Sequence, residues 1–482
     1  MPARKDWVVL KFGGTSVASV DRWQTIADAI EQRTADGERA MVVCSALSGV
    51  SNLLQKLIDA VDAEGDMEPL LAEIRGKHER LAAAMGLNAD DELGEDLTEL
   101  GRMVEGARLI GTVPDEVRAR LMAMGELMAT RLGAAWLRER GASVVWRDAR
   151  TLLQAEPAST GASSSHHYLS ATCHYAPDER LINDLADLSG NAVLTQGFIA
   201  ADGHGDTVLL GRGGSDTSAA YLAGKLNAKR LEIWTDVPGL FTANPKDRAD
   251  ARLLRAVTFD EAQVLAAMGA RVLHPRCIPP VRDNDIPLHM RCTQAPAMEG
   301  TVVSSAAAPT ELGVKAVVSR HQLYLIRIDC PGHWHQTGTL AEVTGVFAQH
   351  GIAIDLIANS AASISLTIDP AASPLTEQDL ARLVANLESI GTANVSHEVG
   401  SVSLVGSNIA SVMNRLSPAL KPLEAQRIHL VSDAGPDDAL SFVLEPEDVD
   451  YLMNPLHDWL LAQPQPETIF GPSWQELNGR LA

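Results

Sequence analysis

Val8-Val9-Leu10-Lys11-Phe12-Gly13-Gly14-Thr15-Ser16 is the stretch on which the fold turns. A short apolar run is closed by two glycines, and Trp23, Ile26, Ala27 and Ile30 then recur at helical spacing, so the segment reads strand, turn, helix. The pattern repeats at once. Ala40 to Cys44 is a second strand, Ser45 to Ser51 a Ser- and Gly-rich turn, and Leu53, Leu54, Leu57, Ile58 and Val61 mark an amphipathic helix. Alternating strands and helices imply a mostly parallel sheet covered by helices, the signature of an α/β protein.

The same stretch also carries chemistry. Lys11 stands at a strand end, and Gly13 and Gly14 follow in a turn where backbone N–H groups can approach phosphate oxygens without a Cβ in the way. An ordinary βα turn with a surface lysine is the plainer alternative; a lysine held at the end of a buried strand needs an anionic partner, which favours a phosphate cradle. A second glycine cluster, Gly211-Arg212-Gly213-Gly214-Ser215-Asp216, opens a helix that runs through Leu226. There Arg212 could grip a carboxylate bidentately, while Asp216 could cap the helix or orient a cation. Gly224-Lys225-Leu226 lacks the spacing of a P-loop, which argues against that fold.

Outward from these motifs, residues from Met67 to Glu139 are dominated by helix formers and read as a helical insertion between strands. Ala155 to Thr172 is small, polar and loop-like. Strands are expected at Ser143–Trp146, Ala192–Gln196, Leu231–Thr235 and Pro287–Arg291, with hairpin chemistry at Ala201-Asp202-Gly203. Helical segments near Phe259–Met268 and Pro275–Arg282 complete a domain that ends near residue 305, followed by a Ser/Ala-rich linker. Beyond it, two copies of a βαββ series recur: strands at Leu323–Ile328, Ile352–Ile357 and Ser363–Ile368 with a helix at Leu340–Gln349, then strands at Val402–Val405, Ile428–Ser432 and Leu440–Leu444 with a helix at Ile409–Leu416. The expected division is 1–305, 306–394, 395–470 and a tail at 471–482.

Composition narrows the function classes. With 482 residues, about 150 per domain suggests roughly three units. Forty Lys and Arg against 62 Asp and Glu give a formal charge of −22, which disfavours broad attraction to nucleic acid or anionic membrane, so any phosphate binding is local. The N-terminus lacks the apolar segment of a signal peptide, and no run of about 18 apolar residues occurs, so a cytoplasmic protein without a membrane span is expected. The five cysteines are scattered without metal or disulfide spacing. His166-His167 and His333-Trp334-His335 lack further ligands at suitable spacing and are read as surface residues rather than a metal site.

Val9-Leu10-Lys11-Phe12-Gly13-Gly14-Thr15-Ser16-Val17, Gly125-Glu126, Thr195-Gln196-Gly197-Phe198, the Gly211–Asp216 cluster and Trp234-Thr235-Asp236-Val237-Pro238-Gly239, in this order, resemble the signatures of aspartate kinases over the whole chain. The recurring modules resemble that family's paired ACT domains. The resemblance implies an amino-acid-kinase-like three-layer sandwich followed by two ferredoxin-like ACT modules, acting on L-aspartate and ATP with Mg²⁺ carried by the nucleotide. It further implies that Lys11 and Asp216 are catalytic, that Ser45, Ser51, Glu126 and Arg212 bind aspartate, and that Gly13, Gly14, Gly213, Gly214, Ser215, Thr235, Asp236, Phe241, Lys246 and Arg271 bind ATP. Phe241 replaces a frequent tyrosine, and Lys246 and Arg271 keep the charge of the commoner residues with altered hydrogen-bond geometry. Ala353, Asp355, Asn359 and Ser360 match the effector edge of lysine-sensitive members, Ala353 and Asn359 standing in for hydroxyl residues. The implied protein is a homo-oligomer, at least a dimer through its ACT domains, inhibited by an amino acid, lysine foremost. Some relatives continue into a diaminopimelate decarboxylase domain, and the chain could be the kinase portion of such a protein. The alternatives are a glutamate or N-acetylglutamate kinase, and a catalytically dead amino-acid sensor.

Overall fold

The structure, a computed structural model, describes residues 6–157, 163–269, 272–306, 313–330, 337–360, 362–371, 373, 375–409, 413–434 and 438–481. The apolar run at the start does become the strand Trp7–Phe12, and it lies near the middle of an eight-stranded sheet. From one edge to the other the order is Val144–Trp146, Ala192–Gln196, Arg39–Cys44, Trp7–Phe12, Arg230–Thr235, Leu288–Cys292, Val302–Val303 and Ala256–Val257. The first six are parallel to one another; the short strand Val302–Val303 runs antiparallel to Leu288–Cys292.

Two cores flank this sheet, and the two-residue period of the strand assigns its side chains to them. Val8, Leu10 and Phe12 pack with Trp23, Ile26 and the helical insertion, whereas Trp7 and Val9 face the opposite core with Ala219, Leu222 and Ile278. Lys11 shares the latter face. The insertion consists of helices Glu68–Met85, Ala89–Ile110 and Asp115–Glu139; Asn88 caps the middle one through its side chain, and Asp115 and Glu116 follow Pro114 in the first turn of the last. The expected hairpin forms between Ile199–Ala201 and Thr207–Leu209.

The distal third is built on an antiparallel six-stranded sheet in the order Ile357–Asn359, Ser363–Ile368, Val314–Asp329, Thr392–Gly406, Ala439–Leu444 and Leu430–Ala434. Here the sequence reading needs correction. The two modules share their central strands, of 16 and 15 residues, and each strand serves both. Val314 and Val317, at the start of the first long strand, pack with Val402, Leu404, Phe442 and Leu452, while Ile326 and Ile328, at its end, pack with Val343, Phe347, Leu366 and Leu383. A register irregularity between Arg320 and Leu325, with Gln322 at φ 61°, bends the strand between the two cores. The cores therefore do not divide at residue 394: the first module is an excursion within the second.

Other differences are local. The strand expected at Ile352–Ile357 is confined to Ile357–Asn359, and the helix expected at Ile409–Leu416 is Met413–Leu416 among the described residues. Helices Glu377–Leu387 and Pro446–Leu461 extend the βαββ series by one helix each; the first is fixed by a reciprocal capping box between Thr376 and Asp379. Residues beyond 470 are no loose tail. Phe470–Ser473 pairs with Arg252–Leu254, and the helix Trp474–Leu481 sets Trp474 edge-on to Phe241 at 5.6 Å. Arg252 fixes this return by donating to Gly471 O at 2.8 Å and to Gln465 Oε1 at 2.8 Å.

The opposite face of the regulatory sheet meets the first domain. Met268, at the end of the helix Phe259–Ala267, joins Leu323, Leu325, Leu356, Val399, Leu430 and Val443. Beside it the fully buried pair Lys315 and Glu261 closes at 2.6 Å, and Ser407 donates to the same carboxylate at 2.9 Å. Among the described residues no helix is long and apolar enough to cross a membrane.

Candidate active site

Lys11 and Asp216 meet where strand period and helix entry coincide. The alternation that buries Leu10 against the insertion turns Lys11 toward the helix Gly214–Lys225, and its Nζ lies 2.6 Å from Asp216 Oδ1, in that helix's first turn. Both side chains keep some access to solvent, 12% and 14%. Gly13 and Gly14 follow at the carboxyl end of the strand, the side of a parallel sheet where ligands bind. A Cβ on Gly14 would stand 2.8 Å from Ala46 O, so only glycine lets this turn lie against the Ala46–Ser48 turn of the neighbouring strand. Ser45 and Ser51 flank that second turn, both half-buried.

Glu126 enters from the long helix Asp115–Glu139. Its neighbour Gly125 has no room for a side chain, since a Cβ there would be 2.9 Å from Ala46 Cβ, and this close approach places the Glu126 carboxyl under the Ala46 amide. Glu126 is only 3% exposed, and its Oε2 has no hydrogen-bond partner. Burial pushes its pKa up to about 8, against the lowering effect of the Ala46 N–H. A buried, half-satisfied carboxyl of this kind is suited to a ligand ammonium, which would restore both its charge and its missing bond.

The Gly211–Asp216 loop is gripped from several sides. Gly211 and Gly213 adopt φ 70° and 66°, the left-handed region that glycine enters freely. A Cβ on Gly214 would fall 2.6 Å from the Phe198 ring, and one on Gly197 2.6 Å from Ser215, so the Thr195–Phe198 motif wraps the loop from the sheet side. Arg212, Gly213 and Asp216 line a cavity of about 620 Å³ whose opposite wall is regulatory: Arg320, Gln322 and Asp369. Thr235 and Asp236 lie at the carboxyl end of the adjacent strand, just past Trp234, which is in register with Phe12, and Thr235 Oγ1 donates to Asp236 at 3.0 Å. Thr293 joins this corner through Ser16 Oγ at 2.9 Å and Thr235 O at 3.0 Å.

The structure thus gathers Lys11, Gly13, Gly14, Asp216, Gly213, Gly214, Ser215, Thr235 and Asp236 along one edge, with Ser45, Ser51 and Glu126 beside it. Phe241 is not among them: its ring is buried with Val314, Val317 and Trp474, where a hydroxyl would meet an apolar core. Lys246 is exposed in a turn held by Asn244, and Arg271 falls outside the described residues. The sequence reading passed over Phe198, His274 and Arg276. Phe198 stands in a quoted motif, but nothing in its residue type announces the φ of 70° that turns it onto the loop.

At the effector edge Asp355 already has partners. Arg320 holds it through two bonds of 2.8 and 2.7 Å, and Thr367 adds a third at 3.1 Å. Ala353 N donates to Ser373 Oγ, Ser360 bonds Ser363, and Asn359 is exposed at the end of the edge strand. His167 pairs with Asp202 at 3.2 Å, while His333, Trp334 and His335 lie outside the described residues. Asp250, His457 and Asp458 come close enough to suggest a metal, but Arg248 bridges both carboxylates at 2.6 Å and offsets one of their two charges.

Residues 6–292 match the model of the amino acid kinase family. Over 93% of this chain and 98% of its own length, the lysine-sensitive aspartokinase 3 of Escherichia coli is 32% identical; the chloroplastic aspartokinase 3 of Arabidopsis thaliana is 29% identical over 93% of this chain and 80% of its own. Among solved structures, E. coli aspartokinase III with aspartate and ADP, described as its R-state, superposes with a TM-score of 0.77 at 30% identity, covering 94% of this chain and 99% of that one. The same enzyme with lysine and aspartate, its T-state, gives 0.73 at 31% identity with the same coverage.

Proposed function

The chain belongs to the aspartokinases of the amino acid kinase family, and from that premise we propose how its residues transfer the γ-phosphoryl group of ATP to the side-chain carboxylate of L-aspartate. The acceptor is ionised at neutral pH, so it attacks phosphorus directly; the new P–O bond forms at the β-carboxylate as the bond to the ADP leaving oxygen breaks. No protein nucleophile is needed. Positioning and charge neutralisation supply the rate enhancement.

Glu126 is the observation that carries the substrate assignment. A phosphate site alone would serve any kinase of this fold, whereas a buried carboxyl with one unpartnered oxygen beside it selects an amino acid for its ammonium. Arg212 receives the α-carboxylate in a bidentate fork, and the remaining carboxylate is thereby aimed at the nucleotide. Lys11 and the Gly13 and Gly14 amides hold the transferring group. Asp216, a hard oxygen donor 2.6 Å from Lys11, orients that lysine and would help hold the Mg²⁺ carried in with ATP, whose charge would offset that of the phosphates. Ser45, Ser51, Thr235 and Asp236 complete the walls.

The distal third acts as an ACT-type regulator in this proposal, with lysine as feedback inhibitor at Asp355 and a dimer formed through these modules. Trapping of the acyl phosphate with hydroxylamine, using Mg-ATP and one amino acid at a time, tests the reaction: aspartyl hydroxamate is the expected product, and a product from glutamate alone, or from none, sinks the assignment. Titrating the same assay with lysine, threonine and both identifies the effector.

A further inference from the structure

We propose that His274 is a positioning residue for the loop Arg212–Ser215: its imidazole is the seat on which Gly213 rests, and through that contact it sets where Arg212 meets the substrate carboxylate. This rests on the assignment of Arg212 to aspartate made above. The contact leaves no slack, because a Cβ on Gly213 would fall 2.2 Å from the His274 ring carbon Cγ and 2.4 Å from Cδ2. The backbone passes directly over the ring.

The ring itself is fixed. Its Nδ1 accepts the Arg276 N–H at 3.3 Å, which caps the short helical turn Pro275–Cys277 and leaves the ring proton to Nε2 in the neutral form. Burial and the neighbouring Arg276 and Arg212 charges favour that neutral form, against the pull of Asp216. Two residues on, Arg276 donates to Leu210 O at 2.6 Å and to Ala171 O at 3.0 Å, and its guanidinium lies 3.0 Å from where a Gly211 Cβ would be. One short segment thus holds the loop at both ends, Arg276 at Leu210–Gly211 and His274 at Gly213. A few residues earlier in the sequence, Arg320 lies against Gly269, where a Cβ would stand 2.7 Å from Arg320 Cγ.

Steady-state kinetics on the full chain test the seat. His274→Ala should raise KM for aspartate about tenfold or more while kcat stays within about threefold, the pattern of a displaced binding group. His274→Asn, which can still accept the Arg276 N–H, should recover most of that loss. Gly213→Ala, damaging in the native background, should be less so when His274→Gly has removed both the ring and the Cβ that would lie 2.6 Å from the added methyl, giving a double-mutant cycle that is not additive. An unchanged aspartate KM in His274→Ala, with activity falling only as the folded fraction measured by thermal melting falls, overturns the proposal, as does an additive cycle. Arg212→Ala separates the two layers of the argument. If it leaves the aspartate KM unchanged, the substrate assignment is lost; if it raises it while His274→Ala does not, the seat alone is lost.

Discussion

Glu126 and Asp355 are two carboxyl groups proposed to receive an amino acid's ammonium, and the protein treats them in opposite ways. Glu126 is buried midway along the helix Asp115–Glu139 with one oxygen unsatisfied, so its binding capacity is open before any ligand arrives. Asp355 is held by Arg320 and Thr367 through three bonds. The first is a site waiting for its ligand. At the second, a ligand must exchange with a partner the protein already supplies, and Arg320 also lies against Gly269 of the first domain. An exchangeable internal partner is what a regulatory site requires, since a ligand shifts an equilibrium only by what it changes between the two states.

Lys11→Ala should produce the largest effect on the catalytic side of this comparison, lowering kcat by about 10²- to 10³-fold, because its charge serves the transition state. Stability should change little, which a thermal melt checks; a near-normal kcat would remove the lysine from the chemistry. The raised pKa of Glu126 gives the next test. With a folded value near 8 against 4.5 in the unfolded chain, the free protein holds this carboxyl protonated at neutral pH, and the stability it contributes declines as pH rises through about 8. A bound ammonium reverses the shift and expels the proton. Calorimetry in buffers of different ionisation enthalpy should therefore show about one proton released per aspartate bound at pH 7, and Glu126→Gln should abolish it. Release that persists in that variant would place the titrating group elsewhere.

The smallest effect on catalysis is expected from Asp355→Asn. Without lysine its kinetics should stay within about twofold of the native chain, while the lysine concentration for half-inhibition rises by about tenfold, a typical coupling. Equal inhibition of both proteins would mean that the Arg320–Asp355 pair is structural.

Much of the catalytic region is legible in sequence because its determinants are local. The alternation Val8, Leu10, Phe12 against Val9 and Lys11 fixes which way the lysine faces, and glycine clusters at strand ends mark the close approaches. The regulatory region resists the same reading. Both halves of Val314–Asp329 look alike as strand, and only the packed structure reveals that Val317 and Ile326 belong to different cores. The Arg320–Asp355 pair joins residues 35 apart in sequence, with no motif to announce it. Phe241 misled for a related reason: its position in the motif order suggests the nucleotide, but its surroundings are decided by residues near the other end of the sequence.

The return of the chain at Phe470–Ser473 sets a timetable for synthesis. Arg252 bonds the Phe470 carbonyl across a separation of 218 residues, and Phe241 is covered by Trp474. A nascent chain still on the ribosome can assemble its parallel sheet, yet Phe241 and Leu253 lack part of their cover until residues 470–474 emerge. Contacts of such span form late and slowly. The newborn protein therefore shows chaperones a greasy seam beside its kinase domain, which closes only once residues 470–474 have been made.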